Sequence, residues 1–519
     1  MAASGGFAAG NKAKSDCVAR YFPGTGELSI GISSSVASLF GKAIEAAARA
    51  EAEAFGAGGR IELEDDGALD YVIAARVEAA LRAAGLERRA DAASDLGMFR
   101  DGEVAGLTAA PANASAMAAG PSAQAVASVA VAAAPASQAV APASQAAALA
   151  PAPAPASQVA AKAAAPEGPR FGPLRSRLYI PGNQPELQPN IGLFGADCVL
   201  LDLEDSVPPE RKAEARILAR CLLESHRVFF GASEIAVRVN PLSGPYGLQD
   251  LEEVVPAAPR ILVLPKCESA ADVEAFDREL SRLEAASGLP VGSTLFMPIA
   301  ETARGVSAAL AVASASSRNV ALCFGAEDYR RDMGLSRGEA EEELATARGL
   351  VALAARAAGI EAQDTVFSDI DDPAGMEASA RRGKACGFSG KGLLHPCQIE
   401  IAHCVFSPSE AEIARAERIV AAMAEAEAAG RGAVSFEGSM IDAPVAARAR
   451  GLLAAVAARL GVSAAGGEGG AGMALSDGLA AAREGDTSSA LPAATKLAVP
   501  GTGVSAAGVS VVKGADDGR

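Results

Sequence analysis

The sequence predicts an α/β protein whose larger part, residues 170–460, folds as a (β/α)8 TIM barrel. A doubly wound open sheet is the structural alternative, and three observations favour the barrel. Strand-like apolar runs alternate eight times with Ala-, Glu- and Arg-rich helical stretches in that segment. Almost every run ends in a charged residue, at the end where such barrels place their active sites. A charge-free stretch punctuated by Pro separates the segment from a small α+β segment ahead of it.

The 519 residues are enough for about three domains. Hydrophobic residues make up 50% but aromatics only 4%, with no Trp, so much of the apolar content is Ala and adds little burial per residue. Lys and Arg number 46 against 63 Asp and Glu, a net charge of −17 without a basic stripe. That balance argues against nucleic acid as the main partner and for small-molecule chemistry. Eight Cys with no C-x-x-C pair read as reduced thiols. The N-terminus has no secretory pattern and no run of 18 strongly apolar residues occurs. A cytoplasmic protein without a membrane span is expected.

Residues 1–100 hold the first domain. Leu28, Ile30 and Ile32 alternate as a strand, and a helical run follows from Ser35 to Phe55. Ile61 and Leu63 alternate with acids as a second short strand. A second helix is expected from Leu69 to Ala84, apolar at Leu69, Val72, Ile73, Val77 and Leu81, with Gly85 placed to stop it. Domains of this size are often carriers or adaptors.

Residues 101–169 form the connection. From 104 to 161 there are 58 residues in a row without charge, and APASQ recurs at 134–138, 141–145 and 154–158. Pro interrupts any helix there and Ala offers too little area to fold around. A flexible, disordered linker with a coil span on the order of 40 Å is expected. Residues 461–519, rich in Gly, Ala and Ser, are expected to be a disordered low-complexity tail.

The eight barrel strands are expected at 177–182, 198–205, 235–240, 261–266, 295–301, 320–328, 365–371 and 389–396. Helical stretches such as 269–286 and 340–358 lie between them. The strand ends carry, in order, Asp202, Glu204 and Asp205, then Arg238, Lys266, Glu301, Glu327 and Asp328, and Asp369. Excess carboxylate on one rim repels itself unless a cation is present. Hard oxygen ligands from two strands, with other positions left to water and substrate, suit Mg2+ better than zinc. Arg238 would face a substrate carboxylate as a bidentate clamp, and the set suits chemistry passing through an enolate. The competing reading is a set of buried salt bridges holding strands in register. His395, Cys397, His403 and Cys404 do not have the spacing of a structural zinc site. Asp332, Arg337 and the Glu run at 341–343 read as a solvated helix face.

The segment 170–460 resembles the citrate lyase β subunit of the HpcH/HpaI aldolase and citrate lyase family. The resemblance is carried by LYIPGNQPE, LLDLEDSVPPERKAEAR, VRVNPLSGPYGLQDLE, LPKCESAADV, IAETARGV, FGAEDYRRDMG, FSDID, GFSGKGLLHPCQIE and EGSMIDAP. It implies Mg2+ on Glu301 and Asp328, substrate contacts from Arg238 and Glu301, and Glu204 and Asp205 as anchors for waters on the metal. It places the CoA-like thioester arm at Tyr179, Pro181 and Gly182. It also implies a proton-transfer role for Asp442, contributed from a neighbouring subunit, and hence a homo-oligomer. The sequence departs from the β subunit pattern at His395-Pro396, where Asn-Pro is usual and related acyl-CoA lyases have His, and at EGSMIDAP, which lacks a Lys and a second Gly.

Residues 10–85 resemble the citrate lyase acyl carrier protein, the γ subunit, in SSVASLFGKAI and LEDDGALDYVIAARVEAALRAAG. That family attaches a phosphoribosyl-dephospho-CoA prosthetic group to a Ser two residues before an Asp. Here Lys14 occupies that position and Ser15 is displaced by one. Together the resemblances imply a fused carrier and lyase that cleaves a (3S)-citryl thioester to oxaloacetate and an acetyl thioester. Its partners would be a citrate lyase α subunit, acting as acyl transferase, and a prosthetic-group transferase. The linker would let the carrier visit a second active site. A malyl- or citramalyl-CoA-type lyase, a thioesterase of the same family, and a scaffold with an unmodified carrier are the alternatives.

Overall fold

The computed structural model describes residues 6–89, 174–225, 227–338 and 340–459. The expected linker and tail lie outside the described residues. The chain divides into two compact units, one running to Glu412 and one from Ile413 onward.

The first unit opens with β1 (Phe7–Gly10), β2 (Cys17–Pro23), β3 (Ser29–Ser34), α1 (Ala37–Ala54), β4 (Gly59–Asp65) and α2 (Asp70–Ala83). The sheet order is β1-β2-β4-β3, with β3 and β4 parallel across α1 and the other pairs antiparallel. Both helices lie within one or two residues of the expected spans, and Gly85 follows α2 at φ +84° as a left-handed stop. The sequence reading did not find β1 and β2. β1 is FAAG and β2 is buried at Cys17, Val18 and Ala19 in succession, so neither alternates cleanly. α2 is buried at every residue from Tyr71 to Leu81, including Arg76 and Glu78.

Eight parallel strands then close into a barrel: β5 (Ser176–Pro181), β6 (Cys198–Asp202), β7 (Glu234–Arg238), β8 (Ile261–Leu264), β9 (Leu295–Ala300), β10 (Ala321–Phe324), β11 (Glu361–Asp364) and β12 (Gly390–Leu393). β12 pairs with β5 to complete the ring. The outer helices are α3 (Lys212–Ser225), α4 (Gly247–Val254), α5 (Ala270–Ala286), α6 (Ala303–Ser307), α7 (Ala309–Ser314), α8 (Ala326–Met333), α9 (Ala345–Ala358), α10 (Pro373–Cys386) and α11 (Gln398–Phe406). Strand period puts Cys198, Leu200, Ala236, Ile261, Val263, Met297, Ile299, Ala321 and Cys323 in one interior cluster. Val199, Leu201, Val237, Leu262 and Phe296 pack in the larger cluster shared with the helices. Two residues beyond Leu200, Ala236 and Ile299 come Asp202, Arg238 and Glu301. The same alternation that fills the barrel therefore turns these three inward at its mouth.

One strand was misplaced in the sequence reading. The seventh is Glu361–Asp364, and 365–371 forms the connection after it. Thr365, Val366 and Phe367 have the β-branched and aromatic character of a strand, whereas Glu-Ala-Gln-Asp does not. The real strand is stabilised by charge pairing. The Nζ of Lys391 donates to Asp364 at 2.9 Å with both side chains fully buried, and Arg348 Nε donates to Asp364 at 3.0 Å. Asp369 consequently lies in an exposed connection, not at a strand end. The sixth strand also stops early, so Glu327 and Asp328 stand in the first turn of α8.

The barrel closes at β12, which pairs with β5. From α12 (Glu410–Ala428) onward come β13 (Ala433–Phe436), β14 (Ser439–Asp442) and α13 (Ala443–Arg459). The second unit has its own core of Ile413, Ala416, Ile419, Ile441, Ala449 and Leu453. Among the described residues no helix is long and apolar enough to cross a membrane.

Candidate active site

Asp202 and Arg238 are register partners on β6 and β7. Arg238 donates from Nε to Asp202 Oδ1 at 2.6 Å and from Nη2 to Oδ2 at 2.7 Å. Burial pushes the Asp202 carboxyl up, but the charge and hydrogen bonds of Arg238, with the amides of Glu204 and Ser206, outweigh it and hold the group below the usual carboxylate range. The Nε/Nη2 edge of Arg238 is thus engaged by Asp202. The remaining nitrogen, Nη1, lies 3.0 Å from Glu204 Oε2 and 3.7 Å from Asp205 Oδ2. The competing reading of a register-holding salt bridge is thus true of this pair.

Glu204 is buried and fixed from behind. Lys212 Nζ donates to the carbonyls of Leu203 and Glu204 at 2.8 and 2.7 Å. In front, the ammonium of Lys266 pairs with Glu204 and lies 3.4 Å from Asp205, which is exposed. Lys266 adopts φ +51°, a conformation costly for a residue with a Cβ. That turn aims its amide N–H at Glu301 Oε1, 2.7 Å away.

Glu301 is only 3% exposed. Its carboxyl is pushed up to about 8 by burial and by the negative charges of Glu204 and Asp328, with Arg238 opposing. Gly325, between β10 and α8, leaves it room, since a Cβ there would lie 2.6 Å from both Glu301 Cβ and Oε2. Asp328 is half-buried, projects from the first turn of α8 and pairs with Arg331 one turn on. Thr365 Oγ1 accepts from the Ala326 amide at 3.0 Å and fixes the start of that helix. Among the described residues no group of three or more His, Cys, Asp or Glu converges as a metal site. A buried carboxylate that two other acids drive toward protonation, set near the half-buried Asp328, nevertheless fits a divalent cation. Mg2+ needs only one or two carboxylates and takes its other ligands from water and substrate.

Tyr179 faces the same interior. The guanidinium of Arg238 lies 5.3 Å from its ring centre and that of Arg177 lies 5.6 Å away. Arg177 was not singled out from sequence. It is 1% exposed, donates to Cys323 Sγ at 2.9 Å, and its Nε has no hydrogen-bond partner. Among the described residues no carboxylate forms an ion pair with it. Its only sequence signal was a cation at an inward position of β5. Pro181 ends β5, and Gly182 lets the chain pass against β6, its N–H bonded to the Asp202 carbonyl at 2.8 Å where a Cβ would sit 2.8 Å from that oxygen.

Other expected residues fall elsewhere. Ser15 is half-buried at φ +60° in the turn between β1 and β2, beside the exposed Lys14 and the fully buried Asp16. Asp442 ends β14 in the second unit, where its Oδ1 accepts from the Val445 amide at 3.3 Å and caps α13. His395 is exposed on the connection from β12 to α11. Of the residues read as a solvated helix face, Asp332 does lie exposed on α8, whereas Glu341 is buried just ahead of a short 3-10 turn, Glu342–Leu344. Glu341 is 3% exposed and accepts from Arg348 Nη1 and Ser379 Oγ at 2.9 and 2.8 Å. Glu343 accepts from Arg330 at 2.8 Å, and Asp332 from the Ala303 amide at 2.7 Å. Polar composition concealed these pairs because each partner is remote in sequence.

Residues 175–396 match a family model described as HpcH/HpaI aldolase/citrate lyase, and residues 6–84 match one described as malonate decarboxylase delta subunit. A citrate lyase subunit beta from Leuconostoc mesenteroides subsp. cremoris is 39% identical over 276 residues, covering 53% of this chain and 91% of that protein. The citrate lyase subunit beta of Haemophilus influenzae is 40% identical over 276 residues, covering 53% and 94%. The human mitochondrial citramalyl-CoA lyase is 34% identical over 291 residues, covering 54% and 85%.

Proposed function

The chain belongs to the HpcH/HpaI aldolase/citrate lyase family, and on that basis we propose that its barrel cleaves a (3S)-citryl thioester to oxaloacetate and an acetyl thioester, with Mg2+. The observation that carries this reading is Glu301, buried among acids beside a guanidinium that Asp202 holds still. Mg2+ held by Glu301 and Asp328 would act as a Lewis acid on the citryl hydroxyl and a carboxylate. Arg238 offers Nη1 to the negative charge that develops on the thioester oxygen as the carbon–carbon bond breaks. The Lys266 ammonium, paired with Glu204, opposes the upward push of burial on that carboxyl, and Glu204 would anchor waters on the metal. The hydroxyl proton passes to water, the C–O bond becomes the ketone of oxaloacetate, the pair of the breaking carbon–carbon bond moves to the carbon next to the thioester, and that carbon takes a proton from Asp442 of a second copy or from water. Tyr179, Pro181 and Gly182 line the approach of the thioester arm.

The amino-terminal domain would carry that arm as a phosphoribosyl-dephospho-CoA group on Ser15. An α subunit would load it and a transferase would install it. A second reading, a lyase acting on free acyl-CoA such as citramalyl-CoA, is favoured by the 34% identity to the citramalyl-CoA lyase and by His395. The purified chain is to be given citryl-CoA, citramalyl-CoA and malyl-CoA, with Mg2+ or with EDTA. Mg2+-dependent oxaloacetate from citryl-CoA, lost at least 100-fold in Glu301→Ala, is expected. Preferential turnover of either other thioester would replace the first reading by the second.

A further inference from the structure

We propose that the α3–α4 face of the barrel is a permanent receptor for the chain's own amino-terminal domain, which stays docked there without help from the linker. The charges on the two sides are in opposite order. Along α2 stand Arg76, Glu78 and Arg82, and against them stand Glu214, Arg220 and Glu253. Arg76 Nη1 donates to Glu214 at 2.9 Å, Arg220 Nη2 donates to Glu78, and Arg82 Nη1 donates to Glu253 at 2.6 Å. Arg220 Nε also reaches Glu253 at 2.6 Å, which ties the second and third pairs together. Sliding α2 by one pair along α3 would set like charges face to face, so the order favours one register.

The contact is closed to water at its centre. Arg76, Glu78 and Tyr71 have no measurable exposure, and Arg220 has 6%. The Tyr71 hydroxyl donates to Gln188 Oε1 at 2.8 Å. Apolar residues of α2 and α3 belong to one continuous buried cluster, with Val72, Ile73 and Leu81 on one side and Leu218, Cys221 and Leu222 on the other. A helix buried on every face needs a neighbour on every face, and the small sheet and α1 cover only part of α2. A linker of this length adds effective concentration, but such a contact does not depend on it.

Docking also places the turn that holds Ser15. The Arg76 guanidinium grips Asp16 through Nε at 2.9 Å and Nη2 at 3.0 Å, and the same Nη2 lies 3.5 Å from the Asn183 carbonyl, just beyond β5. Gly10, at the start of the turn, donates to Glu214 at 3.1 Å and accepts from Arg211 at 3.2 Å, beyond β6. The turn is therefore held at the barrel mouth. An arm attached to it would serve its own barrel, and an acyl-transferring partner would have to come to the docked domain. Only this consequence rests on the carrier reading above; the docking itself does not.

The test uses the full chain with a specific protease site placed within residues 104–161. After cleavage at 10 µM, the two fragments are expected to co-elute on gel filtration and to be retained together by a tag on either one. Arg220→Glu is expected to weaken that association at least 100-fold, with the released barrel fragment keeping its far-UV dichroism and eluting as a single peak. Separation of the wild-type fragments into two folded peaks would overturn the proposal, as would co-elution unchanged by Arg220→Glu combined with Arg82→Glu. None of these readouts uses enzyme activity, so a failed substrate assignment leaves the result interpretable.

Discussion

Lys266 does two separable jobs. Its left-handed backbone aims an amide at Glu301, and its ammonium neutralises Glu204. Gly adopts that backbone freely, so Lys266→Gly keeps the first job and loses the second. Lys266→Gly is expected to be more stable than Lys266→Ala by about 1 kcal/mol and so to melt at a higher temperature, while both lose thioester cleavage by a similar factor. Equal melting of the two would mean the backbone relaxes. Arg177 makes a contrasting case, a buried cation without a carboxylate partner. Replacing it with Met, of similar length, should stabilise the fold by about 1–3 kcal/mol and raise KM for a substrate bearing carboxylates. Chemical denaturation and initial rates would report the two effects, and a destabilised variant would count against an uncompensated charge.

Among elements, the regular barrel strands were legible because each alternates apolar residues between lumen and helices, then ends in charge. Arg238 and Glu301 came from that pattern alone. β11 was not legible, since a strand of Glu-Ala-Gln-Asp is stabilised by Lys391 and Arg348, which no local window contains. Asp364→Asn should therefore cost about 3–5 kcal/mol by stranding two buried cations. Urea unfolding would measure it, and a loss under 1 kcal/mol would mean water enters the network. The bidentate hold of Asp202 on Arg238 was equally hidden, because register between strands is not written in either strand. On α2, Arg76, Glu78 and Arg82 look like any solvated helix face until α3 is placed against them.

For the whole molecule, pH and metal should act through one group. Glu301 sits at about 8 in the fold against an ordinary 4.5. Between these values the folded protein binds a proton that the unfolded chain has released. Without metal, stability thus falls as pH rises through that window, by at most about 1.4 kcal/mol per unit. A divalent cation takes the proton's place. The rise in Tm on adding Mg2+ is expected to be near zero at pH 5.5, to grow through pH 8.5, and to vanish in Glu301→Gln. A rise independent of pH would place the metal elsewhere.

The pairing of Arg238 with Asp202 also limits how this enzyme can change over generations. The guanidinium proposed to meet the substrate is a rivet between two adjacent strands, so a mutation that retunes it loosens the wall of the barrel. New substrate preferences are cheaper to acquire in the connections after the strands, around His395 or Asp369, where a residue can be exchanged without opening the ring. Lineages that diverge in substrate should keep this pair and differ in those loops.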